Sequence, residues 1–319
     1  MTDVVIVSDY AGDLFARKVA ETHGWTYVNT DITRFSDDEF RPQLTENIRG
    51  REVYYICPFQ PDPIRRYTEI NFINSALRDS SAERITDVPT YLGYMKQDWK
   101  DRPRVPISIR DVAIMMEQYA KSVLTIDMHS PQIQGVFRIP LDHLDGSVLF
   151  ADVIRNNYDL SKVIIASADI GGAKRAQKLA ERLSLEELAI VYKLRDPKTG
   201  RPKSTGVMGD VKNKKVILYD DQGVSLESLE EGAKLVMNYD AESVDGACTH
   251  LIGTKKDGIT AEDRVARSLI GTLYVSDTIP RPDSYFAENP KIKLVTSINL
   301  FTEAIRRIHN NESLSALFR

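Results

Sequence analysis

Short apolar runs alternate along this chain with stretches of roughly ten to fifteen residues whose apolar positions return at helical spacing. VVIV at 4–7, EVYYIC at 52–57 and VLTI at 123–126 read as buried strands. Between them lie a helix over 14–24 closed by Gly24, an amphipathic helix from about 64 to 80, and a further strand near 84–94. Strands that are apolar throughout must be covered on both faces, and parallel neighbours need long crossovers, so the pattern demands α/β layers around mainly parallel sheets.

After residue 145 the alternation begins again. Helix 148–158, strand 163–166, helix 174–183, strands 188–192 and 216–219, helix 228–239 and strands 244–249 and 271–275 suffice for a second α/β unit. The expected division is therefore 1–145 and 146–299, with an amphipathic tail in 300–319 free to pack back on the first domain. No sequence repeat demonstrates duplication. A chain of 319 residues with 42% hydrophobic content can fill two cores. Its formal charge of −4 argues against a broad nucleic-acid surface. Cys57 and Cys248 form neither a metal-binding pair nor a disulfide framework, and no apolar run of about eighteen residues occurs, so a cytoplasmic protein without membrane contact is expected.

The polar groups at the strand tips carry the chemistry. VILY at 216–219 delivers Asp220 and Asp221 to the place where a buried strand should end. Ligands of open α/β sheets sit at such ends, and paired carboxylates there can hold sugar hydroxyls or hydrated Mg²⁺. Two further tips carry Asp127 with His129 and Asp169 with Gly171 and Gly172. His129 and Asp169 form a second set able to face a divalent ion. Lys193 and Arg195 leave a strand into 196–209, a segment dense in Pro, Gly, Lys and Arg, expected to be a loop that closes over a polyphosphate. Lys96 and Gln97 lie beside Trp99.

FSDDE at 35–39, YMKQDWK at 94–100, RVPIS at 104–108, DMHSPQIQG at 127–135, ADIGGAKRA at 168–176, KLR at 193–195, GDV at 209–211, Asp220–Asp221 and VSDTIP at 275–280 occur together and in order. Through them nearly the whole chain resembles the ribose-phosphate pyrophosphokinase family. The resemblance implies two phosphoribosyltransferase-like α/β domains and a homodimer assembling to a hexamer. It also implies transfer of the β,γ-diphosphoryl group of MgATP to O1 of ribose 5-phosphate, with Mg²⁺ as cofactor. By matched position, Phe35, Asp37 and Glu39 belong to an adenine-side loop given to a neighbouring subunit, and Lys96 and Gln97 to the adjoining ATP site. His129 and Asp169 fall in the magnesium and ATP-phosphate region, Lys193 and Arg195 are the catalytic pair, and Asp220 and Asp221 engage the ribose.

Two positions depart from the pattern. Lys96 stands where the family usually has arginine, keeping the charge but losing the planar fork. After Asp220–Asp221 the family has Asp-Thr, two small residues and Thr, where this chain has Val224, Ser225, Leu226, Glu227 and Ser228. Ser225 and Ser228 can replace the threonine hydroxyls as phosphate donors. Leu226 and Glu227, by contrast, are expected to deny the connection the permissive backbone of small residues. A catalytically impaired regulatory or partner subunit, and a diphosphokinase with an altered acceptor, stand as alternatives.

Overall fold

The computed structural model describes residues 3–195 and 202–318, apart from the side chains of 193–195 and 202–204. The chain forms two compact units, one of Met1–Asp145, Thr278–Arg281 and Ser297–Arg319, the other of Gly146–Asp277 and Pro282–Thr296.

The first unit holds β1 (Val4–Ser8), α1 (Asp13–His23), β2 (Thr26–Arg34), β3 (Phe40–Leu44), β4 (Glu52–Ile56), α2 (Pro63–Asp79), β5 (Arg84–Val88), α3 (Ser108–Glu117), β6 (Ser122–Ile126) and β7 (Leu141–Leu144). Its seven-stranded sheet runs β3-β2-β1-β4-β5-β6-β7 and is parallel except for the β2–β3 hairpin. β1, β4 and β6 are buried at every position. Gly24, at φ 76°, closes α1 by donating its N–H to the Ala20 carbonyl. The C-terminal helix Ile298–His309 packs on α1 through an edge-to-face contact between Phe301 and Phe15, and His309 Nδ1 lies 2.8 Å from Glu52.

The second unit comprises α4 (Ser147–Asn157), β8 (Val163–Ser167), α5 (Ala173–Arg182), β9 (Leu188–Arg195), β10 (Pro202–Met208), β11 (Lys215–Gly223), α6 (Glu227–Asn238), β12 (Ser243–Leu251), α7 (Ala261–Arg267), β13 (Leu273–Ser276), α8 (Asp283–Glu288) and β14 (Ile292–Val295). Its sheet order, β10-β9-β8-β11-β12-β13-β14, is that of the first unit displaced by seven strands. The shared topology thus appears where no sequence repeat does. Part of the expected loop at 196–209 is instead strand: Pro202–Met208 returns antiparallel along β9, which extends to Arg195, and only 196–201 lies outside the described residues. No helix among the described residues is long and apolar enough to cross a membrane. Both cysteines are buried and neither is in a disulfide.

The inner face of α2 differs from an apolar stripe, for it buries Arg66, Glu69 and Asn74 beside its isoleucines. Asn74 Nδ2 donates to Asp87 Oδ2 on β5 at 2.9 Å, while the other oxygens of both groups lack a partner. Burial pushes the Asp87 carboxyl up to about 8, against the opposing pull of Asn74. The proton held at neutral pH supplies a donor in addition to Asn74 Nδ2. Because the folded value lies above the unfolded one of about 3.9, the native state binds the extra proton, and stability falls as pH rises from about 4 to 8. Asp87→Asn should remove that slope. In thermal unfolding followed by circular dichroism, its Tm relative to the parent should rise steadily from pH 5 to pH 8; a difference independent of pH would show that Asp87 is not held protonated.

Candidate functional site

The direction of chain progression reverses in the second sheet between β8 and β11, and their carboxyl ends define a ligand crevice. β11 pairs with β8 only as far as Tyr219↔Ser167, yet with β12 as far as Gly223↔Leu251. Asp220 and Asp221 are therefore strand residues that project beyond β8, rather than the first residues of a turn. Arg175 of α5 reaches both, its Nη1 lying 3.4 Å from Asp220 Oδ1 and 3.2 Å from Asp221 Oδ1. At the end of β8, the Asp169 side chain accepts from Gly172 N at 2.8 Å. A Cβ on Gly172 would stand 2.7 Å from Ser167 Oγ, so any larger residue there would displace the serine hydroxyl from its bond to the Asp169 carbonyl.

Burial raises the Asp220 carboxyl well above the usual carboxylate range. Asp221 adds to the shift, Arg175 opposes it, and Asp169 contributes further negative charge. Three carboxylates thus share one neighbourhood with one guanidinium between two of them. An all-oxygen donor set with unbalanced negative charge fits a hard divalent cation such as Mg²⁺. No group of three His, Cys, Asp or Glu side chains among the described residues is arranged to hold a metal. Arg175 was missed from sequence because a basic pair opening a helix reads equally well as a solvated first turn; the signal was its place one helical turn after the double glycine.

The 224–228 connection corrects one expectation. Leu226 itself adopts the left-handed backbone, at φ 61°, and is only 4% exposed. Its side chain packs over Gly223, where an added Cβ would meet Leu226 Cδ2 at 2.5 Å and Cys248 Sγ at 3.0 Å. Core packing with Leu229, Cys248 and Leu251 offsets the strain of about 1–2 kcal/mol for a non-glycine residue there. Glu227 is ion-paired with Lys256, and Glu230 with Lys234 and Arg264 at 2.6 Å each. The hydroxyls of Ser225 and Ser228 enter no hydrogen bond among the described residues. Gln222, 6% exposed, leaves its amide nitrogen without a partner.

In the first unit, Lys96 and Gln97 line a cavity of about 290 Å³ with Trp99, Asp101, Arg102, Val105 and Pro106. Gln97 is held by Ser108 Oγ at 2.5 Å, whereas the Trp99 ring is 65% exposed. Phe35, Asp37 and Glu39 do not line this cavity. They form the tip of the β2–β3 hairpin, where Phe35 N donates to Glu39 O, Asp38 sits at φ 66° and the Phe35 ring is 45% exposed. His129 is exposed beyond β6, following a buried Asp127 at φ 41°. Lys193 and Arg195 are placed by backbone pairing with Thr205 and Pro202, and their side chains lie outside the described ones.

The corresponding crevice of the first sheet, between β1 and β4, contains Arg66. This buried guanidinium donates to Asp9 Oδ2 at 2.9 Å, Glu69 Oε2 at 2.8 Å and the Pro58 carbonyl at 3.0 Å, and Tyr55 also donates to Asp9. Sequence alone gave no sign of it, since an arginine early in a helix ordinarily faces water.

Residues 4–119 match the N-terminal domain of ribose phosphate pyrophosphokinase, and residues 195–319 match the phosphoribosyl synthetase-associated domain. The ribose-phosphate pyrophosphokinase of Campylobacter jejuni is 37% identical over 314 residues, covering 98% of each chain. That of Aquifex aeolicus is 34% identical over 319 residues and the full length of both. The crystal structure of phosphoribosylpyrophosphate synthetase from Mycobacterium smegmatis superposes with a TM-score of 0.88 at 26% identity, covering 97% of this chain and 100% of that one. With both family domains matched and full-length relatives above 30% identity, the chain belongs to the ribose-phosphate pyrophosphokinase family and is a kinase-type transferase of that family.

Proposed function

We propose that the chain transfers the β,γ-diphosphoryl group of ATP to O1 of ribose 5-phosphate, giving phosphoribosyl pyrophosphate and AMP. The observation that carries this reading is the Asp220–Asp221 pair, projecting past β8 with Arg175 against it. Two carboxylates of fixed direction accept hydrogen bonds from adjacent sugar hydroxyls, and the Ser225 and Ser228 hydroxyls with the first N–H groups of α6 receive the 5-phosphate. The acceptor then presents O1 to Pβ. A bond forms between O1 and Pβ as the bond from Pβ to the α,β-bridging oxygen breaks; AMP departs with that oxygen, and the O1 proton is released to solvent.

Lys193 and Arg195 stabilise the charge that gathers on the phosphoryl oxygens and on AMP. Lys96, Gln97 and Trp99 receive the nucleotide, joined by Phe35, Asp37 and Glu39 from the hairpin of a second copy in a cytoplasmic homodimer that assembles to a hexamer. Asp169, with His129, serves the Mg²⁺ and ATP-phosphate region. Mg²⁺, when bound, neutralises phosphate charge and orients the chain being transferred. No protein nucleophile is required, so positioning and electrostatics supply the rate.

Incubation with MgATP and ribose 5-phosphate, followed by phosphorus NMR, should show phosphoribosyl pyrophosphate and AMP in equal amounts. ADP as the stoichiometric product would mean γ-phosphoryl transfer, and the absence of both expected products from folded, assembled protein would reject the assignment. Lys193→Ala and Arg195→Ala should each lower turnover by about 10²-fold or more with folding intact, as loss of a transition-state contact does; near-normal turnover of both would remove them from the chemistry. Asp220, its carboxyl raised by burial, accepts on both oxygens only after shedding its proton, so binding of ribose 5-phosphate should strengthen as pH rises above the usual carboxylate range. Asp220→Asn should weaken acceptor binding and flatten the dependence in calorimetry; an unchanged profile would exclude Asp220 from the acceptor site.

A further inference from the structure

The turn after β12 is fastened to the connection proposed to hold the acceptor phosphate. Ile252 N and Gly253 N donate to the Gly223 carbonyl at 3.0 and 3.1 Å, and Thr254 N donates to the Val224 carbonyl at 2.7 Å. Beyond these bonds the chain folds on itself. Lys256 and Ile259 exchange backbone hydrogen bonds of 3.0 Å each, with Asp257 at φ 51° and Gly258 at φ 80° between them. This docked turn brings Lys256 to Glu227, the first residue of α6, and the two side chains are ion-paired while both keep access to solvent.

Resting on the acceptor reading above, we infer that Lys256 is a specificity-determining residue for the acceptor phosphate. Glu227 places a negative charge at the helix start where the family has a small residue, and an unopposed carboxylate there would repel a phosphate. Lys256 cancels that charge in the free protein. Its ammonium has three N–H donors, so it can keep one on Glu227 and offer another to a phosphate oxygen against 225–228. The neighbourhood is supplied for an oxygen-rich ligand in two further respects: the Ser225 hydroxyl is half-buried and that of Ser228 exposed at the start of α6, and among the described residues the buried Gln222 amide nitrogen has no acceptor. A lysine on the 254–259 turn thereby adds a charged donor to this connection, and the carboxylate that would repel phosphate becomes the group that holds the lysine in place.

The alternative is that Lys256 does nothing beyond neutralising Glu227, and a double-mutant cycle separates the two. Full-length parent, Lys256→Gln, Glu227→Gln and the double variant would be titrated calorimetrically with ribose 5-phosphate. The titrations would include Mg²⁺ and an ATP analogue with an α,β-methylene bridge, which blocks transfer. The inference expects Lys256→Gln to weaken binding by roughly tenfold or more in the parent, as loss of a charge-assisted bond does, and to weaken it still, by a smaller factor, in the Glu227→Gln background, where the lysine is less firmly held. Loss in the parent background alone, with binding restored in the double variant, would reduce Lys256 to a neutralising partner and overturn the inference. Unchanged binding in Lys256→Gln would overturn it as well. If the parent binds the nucleotide analogue but no ribose 5-phosphate, the acceptor reading itself fails and the Lys256 role with it, an outcome distinct from the other two.

Discussion

The pairing of β11 with β12 beyond the point where β8 stops is the constraint on which the second unit's site depends. Were the three strands of equal reach, Asp220 and Asp221 would be hydrogen-bonded between neighbours on both sides. Instead one edge of the last four residues of β11 is open, and two adjacent carboxylates occupy it at a depth where water cannot fully solvate them. Burial raises the Asp220 carboxyl, the neighbouring Asp221 adds to the rise, and Arg175 offsets part of it. A site in that condition favours whatever brings positive charge or hydrogen-bond donors, which is what a hydrated cation and a sugar present.

The two sheets share one strand order and differ in what fills the reversal point. In the second unit the crevice is polar and available to a ligand. In the first it holds the Arg66 guanidinium, satisfied by Asp9, Glu69 and the Pro58 carbonyl, with Tyr10 donating to Glu69 and Tyr55 to Asp9. A buried pair of this kind is poor evidence of net stabilisation, but removing one partner strands a charge and costs about 3–5 kcal/mol. The network therefore commits the first crevice to structure. The first unit's polar cavity at Lys96 and Gln97 lies elsewhere, on the segment that follows β5.

Much of this was legible in the sequence, and the failures have physical causes. Apolar runs such as VVIV and VIIA announced β1 and β8 because strands buried on both faces carry no competing pattern. β3, β7 and β14 went unread, being short edge strands with sequences FRPQL, LDHL and IKLV; half of such a strand faces water, and β3 even accommodates Pro42. β10 was hidden by its Pro, Lys and Gly content, which composition alone assigns to a loop. The acidic pair, Asp169 and the Lys96 segment were visible as residues at strand tips, since tip position follows from the strand reading. The left-handed Leu226 was not, because its backbone is set by packing against Gly223, Cys248 and Leu251, contacts separated by up to twenty-five residues in sequence.

A crystal structure of the chain with ribose 5-phosphate tests most directly where the acceptor lies. The ribose hydroxyls should be found on Asp220 and Asp221, and the 5-phosphate against residues 225–228 with the Ser225 and Ser228 hydroxyls turned toward it. A phosphate bound away from that connection, with the Asp220–Asp221 pair still closed on Arg175, would contradict the account even if the expected products were formed.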